Sequence, residues 1–310
     1  MTPDALGWLG VPLAILGGVL RGSVPFLLVS LGECLTEKSG KINLGLEGTL
    51  LMGAMSAYAA SFHSGSPWVG VLAAAMAGVV MGAIHAWLVQ RPKVNDISVG
   101  IAMMLFGGGV AFYLGKPYIQ PIAPQLPAIS LGGWSSLPQV QSALQLSPLL
   151  LLGLAIAPLM QGFFTSTRWG LIVRAVGESP AAARAMGIPV KRVQALCIIL
   201  GSLLAGMAGA HLSLYFPGSW NENISSGQGL IAVALVIFAH WKPMQCLYAA
   251  LLFGGTQGLG PVLQSVGVES YYHVFNALPY LLTLAVMVLT CSPHHASEGA
   301  PASLGKPNQD

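Results

Sequence analysis

The chain has 310 residues, of which 54% are hydrophobic and 7% charged, with a formal net charge of +3. An ordinary soluble domain carries roughly 25% charged residues, so this composition excludes a water-soluble globular protein. Runs without Asp, Glu, Lys or Arg, such as 48–90, 117–167 and 243–268, exceed the roughly 20 residues that one membrane-spanning helix needs.

Lipid cannot satisfy backbone polar groups, so spans must be helices or a closed barrel, and continuous apolar runs lack a barrel's alternation. The expected fold is therefore all-α: a polytopic membrane bundle of about nine helices, with eight to ten allowed. In chain order the spans are expected near 6–30, 43–62, 68–90, 95–115, 147–165, 193–215, 228–240, 244–265 and 272–291. The seventh is short, and Arg21 lies inside the first. Asp4 is the only charged side chain before Arg21, so no basic leader precedes the first apolar run and it is read as a retained span. Cys34, Cys197, Cys246 and Cys291 are widely separated and imply neither a disulfide framework nor a zinc site. Residues 1–292 form the transmembrane domain in this reading. The Pro-, Ser- and Gly-rich tail 293–310 is expected to be disordered, with His294 and His295 solvated and no metal bound.

Small residues recur at Ala74, Gly78, Gly82 and Ala86, and at Ser202, Gly206 and Ala210, a spacing that permits close helix packing or lines a pore. The proline-rich stretch 116–146 reads as an irregular external loop. Residues 166–192 form a polar, basic interruption that contains its own helix signals. Ser179 suits the N-cap and Pro180 the first turn, Gly187 suits a left-handed exit, and Pro189 blocks continuation. Such a short helix between two spans is read as a docking element. With this loop placed inside, alternation puts Lys38, Lys41, Arg91, Lys93, Arg168, Arg174, Arg184, Lys191, Arg192, Lys242 and Lys306 on the same side, as the positive-inside rule expects. The N-terminus is then outside and the C-terminus cytoplasmic.

Polar residues at membrane depth mark the candidate pathway. Asn43 and Glu47 are four apart and are expected on one face at the start of the second span, beside Gly45 and Gly48. Glu47 either holds neighbouring helices or loop N–H groups or contacts a solute. Asn95 and Asp96 open the fourth span, with Asp96 read as its cap. Gln228 follows the polar cluster Asn221, Glu222, Asn223, Ser225 and Ser226 on the external side. No phosphate-binding loop, zinc-protease motif or nucleophile elbow is present, so the chain is not read as an enzyme, and any ATP would be hydrolysed by another subunit.

The segment Ser39-Gly40-Lys41-Ile42-Asn43-Leu44-Gly45-Leu46-Glu47-Gly48 resembles the signature that follows the first span in permease subunits of bacterial ABC importers for nucleosides and simple sugars. Residues 177–188, the run 229–238 with Trp241-Lys242-Pro243, and Pro279-Tyr280-Leu281-Leu282-Thr283-Leu284 are similar to later segments of that family, in the same order. Ala181 stands where the wider importers' coupling motif carries an acid, and Gln228 where many relatives carry a basic residue.

The resemblance implies a multi-pass subunit of the bacterial plasma membrane that binds no cofactor. It would pair with a second, homologous permease, receive a nucleoside or sugar from an external binding protein, and couple to ATP-binding subunits. Gly177, Glu178, Ser179, Pro180, Ala181, Ala182, Ala183, Arg184 and Gly187 would form the coupling element. Asn43, Glu47, Asn95, Asp96 and Gln228 are the pathway candidates, and no nucleic-acid partner is expected. The competing class is a self-sufficient secondary transporter or channel. That class calls for a charged coupling site near the bilayer midplane, for which the sequence offers Glu47 and Arg21.

Overall fold

The computed structural model describes residues 10–131, 133, 140–141, 144–265, 277–278, 280–285, 288 and 299–305. The greater part of the expected span 272–291, with Cys291, His294, His295 and Lys306, lies outside the described residues. The long helices are α1 (Gly10–Lys38), α2 (Leu46–Ser64), α3 (Pro67–Val89), α4 (Asp96–Gly115), α5 (Pro148–Ser166), α8 (Val190–Leu214) and α10 (Pro243–Ser265). Shorter helices are α6 (Arg168–Glu178), α7 (Pro180–Ala185) and α9 (Gln228–Phe238). Among the described residues, five helices are long and apolar enough to cross a membrane: α1, α3, α4, α5 and α8.

The central helix is α1, whose residues from Val24 to Leu31 are buried throughout. It packs against α10, α8, α9 and α5, while α2 and α3 pack on the other flank of α8. Leu72, Met76 and Val80 of α3 and Leu105 and Phe106 of α4 are exposed. A bundle in lipid places such side chains outward because the tails are as apolar as leucine.

The small-residue stripes are packing surfaces between α3 and α8. A Cβ added to Gly82 would stand 2.7 Å from Cβ of Ser202, so only glycine lets the two backbones approach this far. Cys34, Cys197 and Cys246 are free, buried thiols.

Pro25 lies inside α1 and cannot donate to the carbonyl of Arg21, four residues earlier. His211 of α8 reaches that carbonyl through Nε2 at 3.0 Å. A carbonyl only accepts, so Nε2 carries the proton and the neutral ring's Nδ1 accepts from the Ser147 hydroxyl at 3.2 Å. Ser147 in turn caps α5, its Oγ accepting from the N–H of Leu149. One imidazole thereby fastens three helices where a proline has freed a backbone group.

Three expectations change here. The first helix runs to Lys38, eight residues past the expected end at 30, and draws Glu33 and Glu37 into the bundle. The all-α reading is qualified by a two-residue antiparallel ribbon, Ile129 opposite Leu146 and Ser130 opposite Gln145, within the external loop. That loop is also anchored: Tyr58 Oη donates to the Pro121 carbonyl, and Ser61 Oγ to that of Pro124. Within the tail, whose composition predicts disorder, residues 299–305 fold against the ends of α1 and α6. Ser303 Oγ donates to the Gly177 carbonyl at 2.5 Å, the Ala302 N–H to Glu178 Oε2 at 3.3 Å, and Lys38 Nζ to the Gly299 carbonyl at 3.0 Å. Polar groups at two helix ends, the Lys38 and Glu178 side chains and the Gly177 carbonyl, give this short segment partners that composition alone does not reveal.

Candidate functional site

The turn from 39 to 45 is the hub of the polar residues. Gly40 adopts φ +85°, in the left-handed region, and turns the chain sharply after α1. Asn43 lies in this turn and not on the helix with Glu47, because α2 begins only at Leu46. Its backbone N–H donates to Glu33 Oε1 at 2.7 Å, its side-chain Oδ1 accepts from the N–H of Gly45, and its Nδ2 donates to Ser202 Oγ at 3.2 Å. The side chain therefore fixes the entry to α2 and ties it to α8.

Glu47 occupies the first turn of α2 and is 8% exposed. Its Oε1 accepts from Ser225 Oγ at 2.5 Å and from the N–H of Gly227 at 3.2 Å, and its Oε2 from the N–H of Gly229 at 2.7 Å. These donors surround the N-terminus of α9. A helix N-terminus presents free N–H groups and partial positive charge, so a carboxylate there is stabilised twice. Of the two roles open to Glu47, the hydrogen bonds are those of a residue that holds loop N–H groups.

Helix α9 has eleven residues, about 16 Å, against the roughly 30 Å of a bilayer core. A short helix that starts within the protein interior needs its first N–H groups satisfied by protein. Gln228 opens it, and its Oε1 is buried without a hydrogen-bond partner among the described residues.

Asp96 is not the cap of α4. Asn95 is, its Oδ1 accepting from the N–H groups of Ile97 and Ser98. Asp96 instead pairs with Lys41 at 3.1 Å, and both side chains are almost wholly buried. Lys41, expected among the basic residues of the cytoplasmic side, is an internal strut between the 39–45 turn and α4.

The acids that sequence reasoning passed over are Glu33 and Glu37, one turn apart on α1 and both buried. Trp241 Nε1 donates to Glu37 Oε2, which locks the α9–α10 connection to α1. Their i, i+4 spacing was visible, but the charge-free pattern that defined the first span stopped short of them. Gln194 adds a further link, donating to the Ser39 carbonyl at 3.1 Å.

The 166–192 segment holds α6, the short helix α7 and the first residues of α8. Thr167 breaks the chain after α5 and caps α6, its Oγ1 accepting from the N–H of Gly170 at 3.0 Å. Ser179 caps α7, accepting from the N–H of Ala182 at 3.3 Å, with Pro180 in the first turn. The Gly187 N–H donates to the Arg184 carbonyl at 2.9 Å, and Gly187 adopts φ +80° at the exit. Ala183 is buried, whereas Ala181, Ala182, Arg184 and Gly187 are exposed. Gly177 is pressed against the end of α1, where a Cβ would collide with the carbonyl of Lys38. Glu178 accepts from the tail, as described above.

Among the described residues, no group of three or more metal-ligating side chains occurs. The arrangement offers helix anchors, the short exposed helix α7 and the short helix α9 with a polar mouth. Residues 7–291 match the family described as branched-chain amino acid transport system / permease component. The chain belongs to that permease family. Over 88% of its length this permease is 32% identical to a putative glucose ABC transporter permease protein of Haloferax volcanii, of which it covers 90%. It is 28% identical to a nucleoside ABC transporter permease protein of Lactococcus lactis, with 89% of this chain and 91% of the relative covered. It is 27% identical to a guanosine ABC transporter permease protein of Bacillus subtilis, with 88% and 90% covered. It is thus a multi-pass membrane permease component of an ABC transporter and not an enzyme.

Proposed function

We propose that this permease forms, together with a second, similar permease, the membrane passage for a nucleoside or simple sugar, and is driven by separate ATP-binding subunits that dock on α7. An external binding protein delivers the solute. The N-terminus is outside, the tail is cytoplasmic, and the chain crosses the membrane about nine times. Two relatives from each of two organisms support the pairing: the nucleoside permease proteins NupB and NupC of Lactococcus lactis, and the glucose permease proteins TsgB13 and TsgC13 of Haloferax volcanii.

The observation that carries the docking role is the capped six-residue helix α7, exposed between α6 and α8. A rigid piece in that position transmits a push on its outer face to α6 and α8, and an energy source must bias such a bistable element to switch access. The solute pathway is assigned to the mouth of α9, where Gln228 offers an unused acceptor, with Asn43, Glu47, Asn95 and Asp96 shaping the surrounding frame. ATP is consumed by the partners, and this chain carries no cofactor.

The test is reconstitution in vesicles with and without the ATP-binding subunits. Solute uptake should require both those subunits and ATP. Flux by the lone chain under an ion gradient would overturn the reading in favour of a secondary carrier.

A further inference from the structure

An apolar groove of about 470 Å³ opens between α5, α6 and α8, with Leu35 of α1 at its floor. Leu159 of α5, Trp169 and Ile172 of α6, and Leu196 and Leu200 of α8 line it. From Val193 to Leu200 the lining covers roughly 10 Å of helix rise, which fits within one leaflet of a bilayer.

The loop end of this groove is basic. Between 151 and 200 the chain carries Arg168, Arg174, Arg184, Lys191 and Arg192 against one acid, Glu178, which receives a hydrogen bond from the tail. Arg168 stands four residues before Ile172 on α6, and Arg192 four before Leu196 on α8, so each lies one turn beyond a lining residue toward the loop. Both arginines are exposed. Trp169, 70% exposed, sits where the apolar lining meets this basic rim, the position tryptophan favours at a membrane interface.

We propose that the groove is a binding site for an anionic phospholipid, with one acyl chain between α5, α6 and α8 and the phosphate against Arg168 and Arg192. Among the described lining residues the polar groups are limited to the Trp169 indole N–H and the Cys197 thiol, and the one acid of this stretch, Glu178, already accepts from the tail. An apolar slot closed at one end by cations matches a fatty chain ending in a phosphate, and basic pockets between membrane helices recognise such headgroups. Helices α6 and α8 are the two arms that carry α7, so a lipid seated here braces the joint through which the docking helix acts.

The experiment uses the assembled transporter in vesicles of phosphatidylcholine containing a small fraction of phosphatidylglycerol brominated in the acyl chain. The signal is the fluorescence difference between the unchanged chain and Trp169→Phe. Brominated phosphatidylglycerol should quench this signal on the order of tenfold more effectively than brominated phosphatidylcholine at the same mole fraction. Arg168→Gln with Arg192→Gln should erase that preference, and Arg168→Lys with Arg192→Lys should keep it, which separates headgroup recognition from misfolding. Equal quenching by the two lipids would mean ordinary contact with bulk bilayer and would overturn the proposal. Absence of quenching by either lipid would mean that a protein subunit covers the groove, and would overturn it equally. Vesicles symmetrical in lipid make the readout independent of which side the loop occupies, so failure here leaves the docking role of α7 standing.

Discussion

Two short helices of this permease start in opposite ways. Helix α7 is capped from within, by Ser179 at its own N-terminus. Helix α9 begins after Gly227, which offers no side chain, and its first N–H groups are held by Glu47, about 180 residues earlier in the chain. A helix capped by its own sequence keeps its shape while neighbours move, which suits a docking element. A helix capped by a distant carboxylate exists only while the bundle around it is assembled, which suits the frame of a passage. Local and long-range satisfaction of the same backbone groups thus divide moving parts from fixed ones.

The sharpest way to break this division is to remove α7. Deleting residues 180–186 is expected to reduce uptake to background while the chain still inserts and still binds the second permease, because the deleted segment contributes only Ala183 to the core. Uptake in whole cells, set beside membrane-fraction yield and copurification of the second permease, checks it. Retained uptake in a well-inserted deletion variant would show that coupling lies elsewhere.

The frame should respond globally. Glu47→Ala strips three donors, Ser225 Oγ and the N–H groups of Gly227 and Gly229, of their acceptor. Two of these donors, Ser225 Oγ and the Gly229 N–H, are buried, and leaving a buried donor unsatisfied costs about 1–3 kcal/mol, so a loss of at least ~2 kcal/mol in detergent unfolding is expected. Glu47→Gln keeps an acceptor oxygen and should lose less. If both variants unfold like the unchanged protein but transport poorly, Glu47 acts on solute and not on α9.

The same contrast explains what could be read from the chain alone. The ends of α7 were legible in Ser179, Pro180 and Gly187, because capping is a local code. The long apolar helices were legible from charge-free runs for the same reason. Illegible were the roles of Asp96 and Lys41, which follow from a partner 55 residues away, and the burial of Glu37, whose partner Trp241 lies about 200 residues later. Asn95 and Asp96 are equally good caps by type, and only the demand of Lys41 for a buried counter-ion decides between them. The fold of residues 299–305 was hidden by composition, since its partners, Lys38, Gly177 and Glu178, lie more than 120 residues away in the chain.

A subtler variant pair sharpens the role of long-range satisfaction. His211→Leu leaves the Arg21 carbonyl without its donor and should cost about 2 kcal/mol. Pro25→Ala restores an N–H four residues along α1 from that carbonyl, so adding it to His211→Leu should recover part of the loss. The double-variant cycle, measured by unfolding in detergent, tests whether the histidine substitutes for the hydrogen bond that proline removes. Additive losses would place its contribution in packing instead.

The smallest effect belongs to the local cap. Ser179→Ala removes the acceptor for the Ala182 N–H, a change worth about 1 kcal/mol at an exposed helix start. The bundle does not depend on this bond, so the unfolding midpoint of the whole protein should stay unchanged. Uptake should fall only a few-fold, because the remaining turn is still fixed by Pro180 and by the hydrogen bond from Ile188 to the Ala183 carbonyl. Ser179→Asp keeps a capping oxygen and should transport normally. A fall in global stability with Ser179→Ala as large as that with Glu47→Ala would erase the distinction between a self-capped helix and one held by the bundle. A local loss of transport at constant stability is what that distinction requires.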